Sequence, residues 1–279
     1  MGAMVKGSSS GFIEISVIIP AYNEEFSIKN TIEKLAAILS DITNDWEIIV
    51  VDDGSDDHTW GVVLALQRVL PQLIAVRLTS NMGKGYALRR GFMESRGKII
   101  MFLDADGDID PSMIPLYLRV LSESRADVVI GSKRHADSVV TYPSRIRYLA
   151  SRVFSALARI FLGIPYSDTQ TGMKIFKKYV LNDILPLVTD AGFVSDSEML
   201  AIAHKAGFRV IEVPVIVNYS SKSTVTLTTI LSMLISLIKL SISLRTRRIT
   251  RSIVQREVVS RSGESDQELL EYSGLIGEI

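Results

Sequence analysis

The chain has 279 residues, enough for one large domain or for a domain with an appendage. Its 31 Lys and Arg residues balance 31 Asp and Glu residues, so a general attraction to nucleic acid is excluded and no nucleic-acid partner is expected. The absence of cysteine excludes disulfides, thiolate metal sites and a cysteine nucleophile, and it fits a reducing compartment.

A regular alternation of strand and helix patterns follows residues 1–11, which carry a Gly/Ser run and are expected to be a flexible lead-in. The strands are predicted at Ile13–Ile19, Glu47–Val51, Leu73–Leu78, Lys98–Leu103 and Asp127–Gly131. The helices between them are predicted from Asn23 to Ser40, up to Leu70, up to Glu94, and over Pro111–Ser124. This order predicts an α/β fold with a parallel, doubly wound sheet.

Polar side chains follow four of these strands: Asn23-Glu24, Asp52-Asp53, the Asp104 cluster and Lys133-Arg134. Because the carboxyl ends of parallel strands meet at one edge of a sheet, such clusters predict a ligand site there. Asp104 and Asp106 alternate along the chain, so both can reach one ligand, and their oxygens suit a hard divalent cation. Taken alone, this acidic pair would be better explained by an acidic turn than by a metal site.

Residues 132–225 follow a less regular pattern and are expected to form the acceptor half of the site. A helix at Ser144–Leu162 carries Arg145, Arg147, Arg152 and Arg159. A polar loop at Asp168–Lys174, a helix at Asp196–Ala206 and a strand at Val210–Val217, interrupted by Pro214, complete this part.

Residues 226–248 contain a predicted amphipathic helix with a wide apolar face. Lys239 would cost roughly 3 kcal/mol near a bilayer centre, so a helix lying on the membrane surface is favoured over a span. Arg245, Arg247 and Arg248 would then meet anionic headgroups. The alternative is a core helix or an interface helix of a homo-oligomer. Residues 249–279, whose positive and negative charges are segregated, are expected to form a poorly ordered tail.

Several motifs carry a family resemblance. They are Val17-Ile18-Ile19-Pro20-Ala21-Tyr22-Asn23-Glu24, Val50-Val51-Asp52-Asp53-Gly54-Ser55, Asn81-Met82-Gly83-Lys84-Gly85 and Asp104-Ala105-Asp106. Together they resemble the family 2 inverting glycosyltransferases of GT-A fold. Gly131-Ser132-Lys133, Asp168–Lys174 and Glu212-Val213-Pro214-Val215 resemble its polyprenyl-phosphate branch, which includes dolichyl-phosphate glucosyltransferases and mannose synthases. The resemblance implies a GT-A domain over 12–225, with a Rossmann-like, mostly parallel open sheet.

The resemblance also implies a nucleotide-sugar donor site. Pro20, Tyr22 and Glu24 would line the base and ribose pocket, Asp52 or Asp53 would accept a hydrogen bond from the base, and Lys84 could pair with a donor phosphate. Mg²⁺ or Mn²⁺ on the diphosphate would stabilise the leaving group. Asp106 is the first candidate ligand and Asp108 the second, while Asp104 faces the ribose or shares the metal. Each of three residues also has an explanation without a ligand. Asp53 could cap a turn or helix, Lys84 could be a solvated surface lysine, and Asp108 could be a solvated acid in a turn.

The acceptor side would depend on the nature of the nucleophile. A polyprenyl phosphate has a second pKa of about 6, so it is mostly dianionic at neutral pH and needs positioning cations more than a base. Lys133, Arg134 and Arg145 are candidates, and the family pattern favours Lys133, Arg147 and Ser151. Many relatives have Gly-Ser-Arg where this chain has Gly-Ser-Lys133, so Lys133 and Arg134 both remain candidates.

Catalysis on this side is expected to use Asp168, Lys133 and Arg147. Asp168 would orient or deprotonate the acceptor, with Gln170 and Lys174 in support. A sugar-hydroxyl acceptor would instead need a true base, which Asp196 or Glu198 could supply.

The expected function is metal-dependent, inverting transfer of glucose or mannose to a polyprenyl (dolichyl) phosphate. The donor would be UDP-glucose or GDP-mannose, and Asp168-Thr169-Gln170 favours UDP-glucose. The enzyme would lie at the cytoplasmic face of a membrane, as a peripheral or monotopic protein. Two alternatives stay open: transfer to a soluble phosphorylated or glycan acceptor, and a non-catalytic nucleotide-sugar-binding membrane module.

Overall fold

A computed structural model describes residues 14–192, 194–219 and 227–246 of the chain. The strands are Ile15–Ala21 (β1), Trp46–Asp52 (β2), Leu73–Arg77 (β3), Ile99–Phe102 (β4), Val128–Ser132 (β5), Val139–Thr141 (β6), Lys174–Lys177 (β7), Val210–Pro214 (β8) and Ile216–Asn218 (β9). The helices are Ile28–Ile42 (α1), Thr59–Gln67 (α2), Lys84–Glu94 (α3), Ile114–Glu123 (α4), Arg145–Leu162 (α5), Lys178–Ile184 (α6), Ser195–Lys205 (α7) and Leu227–Thr246 (α8).

Seven strands form one sheet in the order β3-β2-β1-β4-β7-β5-β8, and β6 pairs with β9 in a small second sheet. The five predicted strands are all present, and β1 pairs in parallel with β2 and β4. β7 was not predicted and lies between β4 and β5, antiparallel to both. The expected loop at 168–174 therefore ends at Met173, because Lys174 begins β7. The mostly parallel open sheet confirms the predicted fold class.

The sheet is buried on both faces, which explains why its central strands are continuous apolar runs. Ile18 and Phe102 belong to a core cluster on one face, packed against α3, α6 and α7. Val17 and Met101 belong to the cluster on the other face, against α1 and α4. With its faces covered, the sheet leaves the carboxyl ends of its strands as the edge where a ligand can enter.

The first helix begins at Ile28 and not at Asn23 as expected. Asn23 has φ +57°, the left-handed conformation that asparagine tolerates better than most residues. Its backbone N–H donates to Ser55 Oγ (3.0 Å), and the N–H of Glu24 donates to Thr59 Oγ1 (2.7 Å). The turn after β1 is thereby fastened to the turn after β2.

The amphipathic helix predicted within 226–248 is α8, and one face of it joins the core through Leu237, Leu240 and Leu244. Ser241 Oγ donates to the Phe161 carbonyl of α5 (2.7 Å), and Lys205 Nζ donates to the Leu244 carbonyl (2.6 Å). No helix within the described ranges is long and apolar enough to cross a membrane. The predicted lead-in at 1–11 and tail at 249–279 lie outside the described residues.

Candidate active site

The loop after β4 carries the three predicted metal ligands, and we call residues 104–108 the acid loop. Asp108 N–H donates to Asp106 Oδ1 (3.0 Å), and Thr31 Oγ1 donates to the Ala105 carbonyl (3.2 Å). Burial raises the pKa of Asp106 to about 7, and the nearby charges of Asp104 and Asp108 add to the effect. The three carboxylates therefore lie close enough to repel one another, which is the electrostatic setting that a bound cation relieves.

A second acid faces the acid loop from the turn after β1. Burial raises the pKa of Glu24, and a hydrogen bond from Ser27 lowers it by less. The charges of Asp104 and Asp108 raise this pKa further. Pro20, the last but one residue of β1, and Tyr22, which is exposed, lie in the same stretch of chain. Among the described residues, no group of three or more His, Asp or Glu side chains is arranged to hold a metal ion by itself.

The two acids after β2 both contact protein groups. Asp53 accepts the N–H groups of Met82 (2.7 Å) and Gly83 (2.9 Å), so it fastens the turn that leads into α3. Asp52 lies 3.1 Å from Arg77 Nε and accepts the Ser55 N–H (3.2 Å). Asp53 therefore does not cap its own turn, as the alternative had it, since Asp52 closes that turn; hydrogen bonding of either acid to a base stays a prediction.

Lys84, the first residue of α3, is an internal cation. Its Nζ lies 2.7 Å from Asp104 Oδ1 and 2.9 Å from Asp196 Oδ2. Burial alone would lower the pKa of Lys84, but the two carboxylates raise it above its ordinary value. The alternative of a solvated surface lysine is therefore wrong, because Lys84 joins the acid loop to α7.

Lys133 and Asp168 form a buried ion pair on the other side of the edge. Lys133 Nζ lies 2.9 Å from Asp168 Oδ2 and donates to Thr171 Oγ1 at 3.0 Å. The same carboxylate oxygen accepts the Lys133 backbone N–H (3.0 Å) and Thr171 Oγ1 (2.7 Å). Burial would raise the pKa of Asp168, but the charge of Lys133, together with the hydrogen bonds from Thr171 and Lys133, outweighs burial and holds that pKa below its ordinary value. Asp168 is thus ionised at neutral pH.

Arg134 extends toward α5, away from this pair. Its Nη2 donates to Ser151 Oγ (2.9 Å) and its Nη1 donates to the Tyr142 hydroxyl (3.0 Å). The structure therefore brings together two of the predicted phosphate-binding residues, Arg134 and Ser151. Arg145 is exposed at the start of α5, and the side chain of Arg147 lies outside the described part of the structure.

The family model described as "Glycosyl transferase family 2" matches residues 16–185. The chain belongs to glycosyltransferase family 2. This confirms the resemblance drawn from the four strand-end motifs, all of which lie within the matched residues.

Similar proteins include glycosyltransferase AglD of Haloferax volcanii, 32% identical over 205 residues, which cover 73% of this chain and 33% of the relative. The dolichyl-phosphate beta-glucosyltransferase of Saccharomyces cerevisiae is 32% identical over 221 residues, covering 73% of this chain and 66% of the relative. The chain thus spans from one third to two thirds of the length of these relatives.

Among solved structures, glucosyl-3-phosphoglycerate synthase from Mycobacterium tuberculosis in complex with UDP has a TM-score of 0.62 and 21% identity. The match covers 82% of this chain and 80% of that one. At this level of identity the likeness concerns the fold, and it agrees with the GT-A architecture predicted for family 2.

Neither candidate base of this family 2 chain is free to act as one. Asp196 has one oxygen 2.9 Å from Lys84 Nζ and the other 2.8 Å from Lys174 Nζ. The carboxylate of Glu198 accepts the Thr189 hydroxyl and N–H (both 2.9 Å) and the Asp190 N–H (2.8 Å). Both carboxylates are buried. The sugar-hydroxyl alternative therefore loses the two bases on which it depended.

The hydrogen-bond partners of two site residues, Glu212 and Lys174, could not be predicted from the sequence. Glu212 accepts the Ser167 N–H (2.9 Å), the Ser167 hydroxyl (2.7 Å) and the Asp168 N–H (3.1 Å), so it shapes the turn that presents Asp168. Lys174, expected to support Asp168, reaches it only through Thr171, whose carbonyl accepts Lys174 Nζ at 2.6 Å. The Glu-Val-Pro-Val motif was the available signal for Glu212, and the Asp168–Lys174 motif was the signal for Lys174, but neither motif gives the partner of the side chain.

Proposed function

We propose that this chain is an inverting hexosyltransferase that moves a sugar from a nucleotide donor to the phosphate of a polyprenyl (dolichyl) lipid. The observation that carries the proposal is the composition of the acceptor side. It offers the cation Arg134 beside Ser151, and its internal acids are engaged by lysines or backbone N–H groups. A dianionic phosphate needs such a cation and needs no general base, whereas a hydroxyl acceptor would need one.

The reaction would then require no proton transfer to the enzyme. A phosphate oxygen of the lipid forms a bond to the anomeric carbon, and the bond from that carbon to the donor diphosphate breaks. Attack from the side opposite the leaving group inverts the configuration. Arg134 and Ser151 would hold the acceptor phosphate, with Arg147 as a further candidate. The Arg134 guanidinium carries five N–H donors, more than its two contacts use.

In this proposal Lys133 and Asp168 are held as a pair. Lys133 Nζ contacts Asp168 and Thr171, and its side chain is only 7% exposed. Lys133 would therefore contribute positive charge near the acceptor phosphate, and Asp168 would keep that ammonium in place. This division favours Arg134 over Lys133 as the cation in direct contact with the phosphate.

The donor side is proposed to bind UDP-glucose in preference to GDP-mannose. The names of the yeast and Trichomonas vaginalis relatives, dolichyl-phosphate beta-glucosyltransferases, support glucose. Pro20, Tyr22 and Glu24 would line the base and ribose pocket with Asp52 or Asp53, and Lys84 would reach a donor phosphate.

We propose that Asp106 and Asp108, with Asp104 beside them, hold Mg²⁺ or Mn²⁺. The crowding of three carboxylates in the acid loop fits a divalent cation. Because the described acids form no complete metal cage, the donor diphosphate would supply the remaining ligands, as is usual for Mg²⁺. When bound, the cation would stabilise the charge of the leaving diphosphate.

A membrane-facing surface is proposed on α5 and α8, which pack against each other. Their outward apolar side chains are Leu149, Val153, Ile160, Ile235, Ile238 and Ile242. Exposed arginines accompany this stripe: Arg145, Arg152, Arg159 and Arg245. Such a surface suits peripheral binding to an anionic bilayer, and we propose the cytoplasmic face. Arg134 lies beside α5, so a lipid phosphate could reach it from that surface.

The test is a transfer assay with UDP-glucose, UDP-GlcNAc and GDP-mannose, each with polyprenyl phosphate or a soluble phosphorylated acceptor. We expect turnover with UDP-glucose and polyprenyl phosphate, and loss of turnover with EDTA. Asp106→Asn should lose about a hundredfold or more in rate. Asp110→Asn is the matched control, since Asp110 only caps a 3₁₀ turn through Ser112 N–H (2.9 Å).

Two results would overturn the proposal: faster turnover with the soluble acceptor, and nucleotide-sugar binding without turnover. Membrane binding is tested separately by flotation with anionic vesicles. Val153→Asp should weaken binding, and Val69→Asp, the same change at an exposed valine near α2, should leave it unchanged. Equal flotation of the two variants would contradict the proposed surface.

A further inference from the structure

An unbroken series of ion pairs and hydrogen bonds runs from the acid loop to the Lys133–Asp168 pair. It starts at Asp104, 2.7 Å from Lys84 Nζ, and continues to Asp196, 2.9 Å from the same nitrogen. Lys174 Nζ lies 2.8 Å from the other oxygen of Asp196. The donor-side acids are thereby linked to the first residue of β7.

Lys174 continues the series toward the acceptor side. Its Nζ donates to the Thr171 carbonyl at 2.6 Å. The hydroxyl of Thr171 donates to Asp168 Oδ2 (2.7 Å) and accepts from Lys133 Nζ (3.0 Å). One ammonium group therefore contacts both an acid that holds Lys84 and the loop that carries Asp168.

Lys174 is an unusual residue for such a position, since its side chain is only 1% exposed. Burying an ammonium group is costly unless charged and hydrogen-bonding partners compensate. Here both partners, Asp196 and the Thr171 carbonyl, belong to segments of the site. A lysine that served only to fill the core could be replaced by an apolar side chain of similar size, with no effect on these segments.

We propose that Lys174 is a positioning residue for both halves of the site. Through Asp196 it fixes Lys84 beside the acid loop, and through the Thr171 carbonyl it fixes the loop that presents Asp168 to Lys133. The proposal rests on the proposed function only for the identity of the two ligands. It assigns Asp196 a positioning role, as the shared counter-ion of Lys84 and Lys174.

Lys178 provides a matched control at the other end of β7. Its Nζ donates to the Ser95 carbonyl at 2.8 Å, so it resembles Lys174 in making a lysine–carbonyl hydrogen bond. It follows the last residue of β7, whereas Lys174 is the first. Lys178→Met should therefore reproduce the loss of a lysine hydrogen bond without disturbing the site.

The experiment compares Lys174→Met, the double variant Lys174→Met with Asp196→Asn, and Lys178→Met. Hydrogen exchange of residues 81–86 and 168–173 is measured on the protein alone, UDP binding is measured with Mn²⁺ by calorimetry, and transfer is measured with polyprenyl phosphate. The double variant removes both members of a charge pair, so it should regain much of the thermal stability that Lys174→Met loses. It keeps the fold testable if Lys174→Met does not fold.

We expect exchange in both segments to become about tenfold faster in the double variant, because neither is held in place. UDP should bind about tenfold more weakly, and kcat/KM for the acceptor should fall about a hundredfold. Lys178→Met should leave all three measurements near wild-type values. Wild-type exchange in either segment of the double variant, or wild-type UDP binding and turnover, would overturn the proposal.

The exchange experiment separates this proposal from the proposed function, because it uses no ligand. If wild-type protein transfers no sugar while the double variant shows fast exchange in both segments, the function fails and the positioning role stands. If wild-type protein transfers glucose and the double variant exchanges normally, the function stands and the positioning role fails.

Discussion

Replacing Gly172 by alanine would put a methyl group into the space of the Asp104 carboxylate. A Cβ built at Gly172 would lie 1.9 Å from Asp104 Oδ2 and 2.1 Å from its Cγ, far inside any contact distance. Gly172 does not occupy the left-handed backbone region, so the effect of this substitution comes from contact and not from backbone strain. Either the Asp104 side chain or the 168–173 loop must move.

The stability cost of this change should be modest. Overpacking a well-packed site costs about 1–3 kcal/mol, and the Asp104 side chain is 28% exposed, so it can turn toward solvent. We therefore expect a loss near the lower end, about 1 kcal/mol. This rotation of the Asp104 side chain would break its 2.7 Å contact with Lys84. A displacement of about 1 Å at a reacting site can cost about a hundredfold in rate, equivalent to about 2.7 kcal/mol.

The prediction is thus that Gly172→Ala loses more transfer than stability. Urea unfolding gives the stability change, and initial rates of glucose transfer give kcat/KM. Gly61→Ala is the matched control, because the added Cβ would have no neighbour within 4 Å other than the adjacent residues and nearby backbone of its own helix. In the first turn of α2 that change should add at most about 0.5–1 kcal/mol of stability and leave transfer unaltered. A Gly172→Ala enzyme with wild-type kcat/KM would refute the reasoning.

Three further predictions concern Glu212, Glu47 and Asp168. Glu212→Gln should lower kcat/KM while changing the urea midpoint little, because both carboxylate oxygens accept the Ser167 N–H and a carboxamide would turn an NH₂ toward that N–H; wild-type kinetics would contradict this. Glu47→Gln should lower the free energy of unfolding by about 1–3 kcal/mol with kcat unchanged, since the buried Glu47 carboxylate accepts two side-chain N–H groups of Arg96; a fall in kcat would count against it. Asp168 has a depressed folded-state pKa, so its contribution is complete above its ordinary pKa near 4 and is lost as pH falls through the lower value. The free energy of unfolding of the wild type should therefore fall more than that of Asp168→Asn between about pH 5 and pH 2. An equal fall in both proteins, measured by urea unfolding at each pH, would exclude this.

The donor half of the site was largely predictable from the sequence. Buried parallel strands are continuous apolar runs, so β1, β2 and β4 were recognisable, and their carboxyl ends had to share an edge. Acids directly after such strands, as at Asp52 and Asp104, therefore fell in one region. What the sequence could not give was the partner of each acid. That Asp53 fastens a turn and Lys84 bridges two carboxylates depends on side-chain directions.

The acceptor half was predicted only as a set of candidates. Lys133 and Arg134 are adjacent, and either could have faced a phosphate. Their separation arises because Lys133 is drawn inward by Asp168 while Arg134 reaches Ser151 on α5. Asp196 and Glu198 likewise looked suited to catalysis at a helix start, but Lys174 in β7 and Thr189 in the loop before α7 occupy them. Contacts between segments this distant leave no periodic pattern in a single sequence.

The direction of one short strand accounts for the arrangement of the whole edge. β7 runs antiparallel between β4 and β5, with Lys174 opposite Phe102 and Ile130 near the ends of those strands. Its first residue therefore lies at the carboxyl edge, and the 168–173 loop that precedes it arrives beside the acid loop. A parallel β7 would have put that loop at the opposite edge, far from Asp104. Because the short pattern Lys-Ile-Phe-Lys is the same in either direction, the sequence could not show that the two halves of the site meet there.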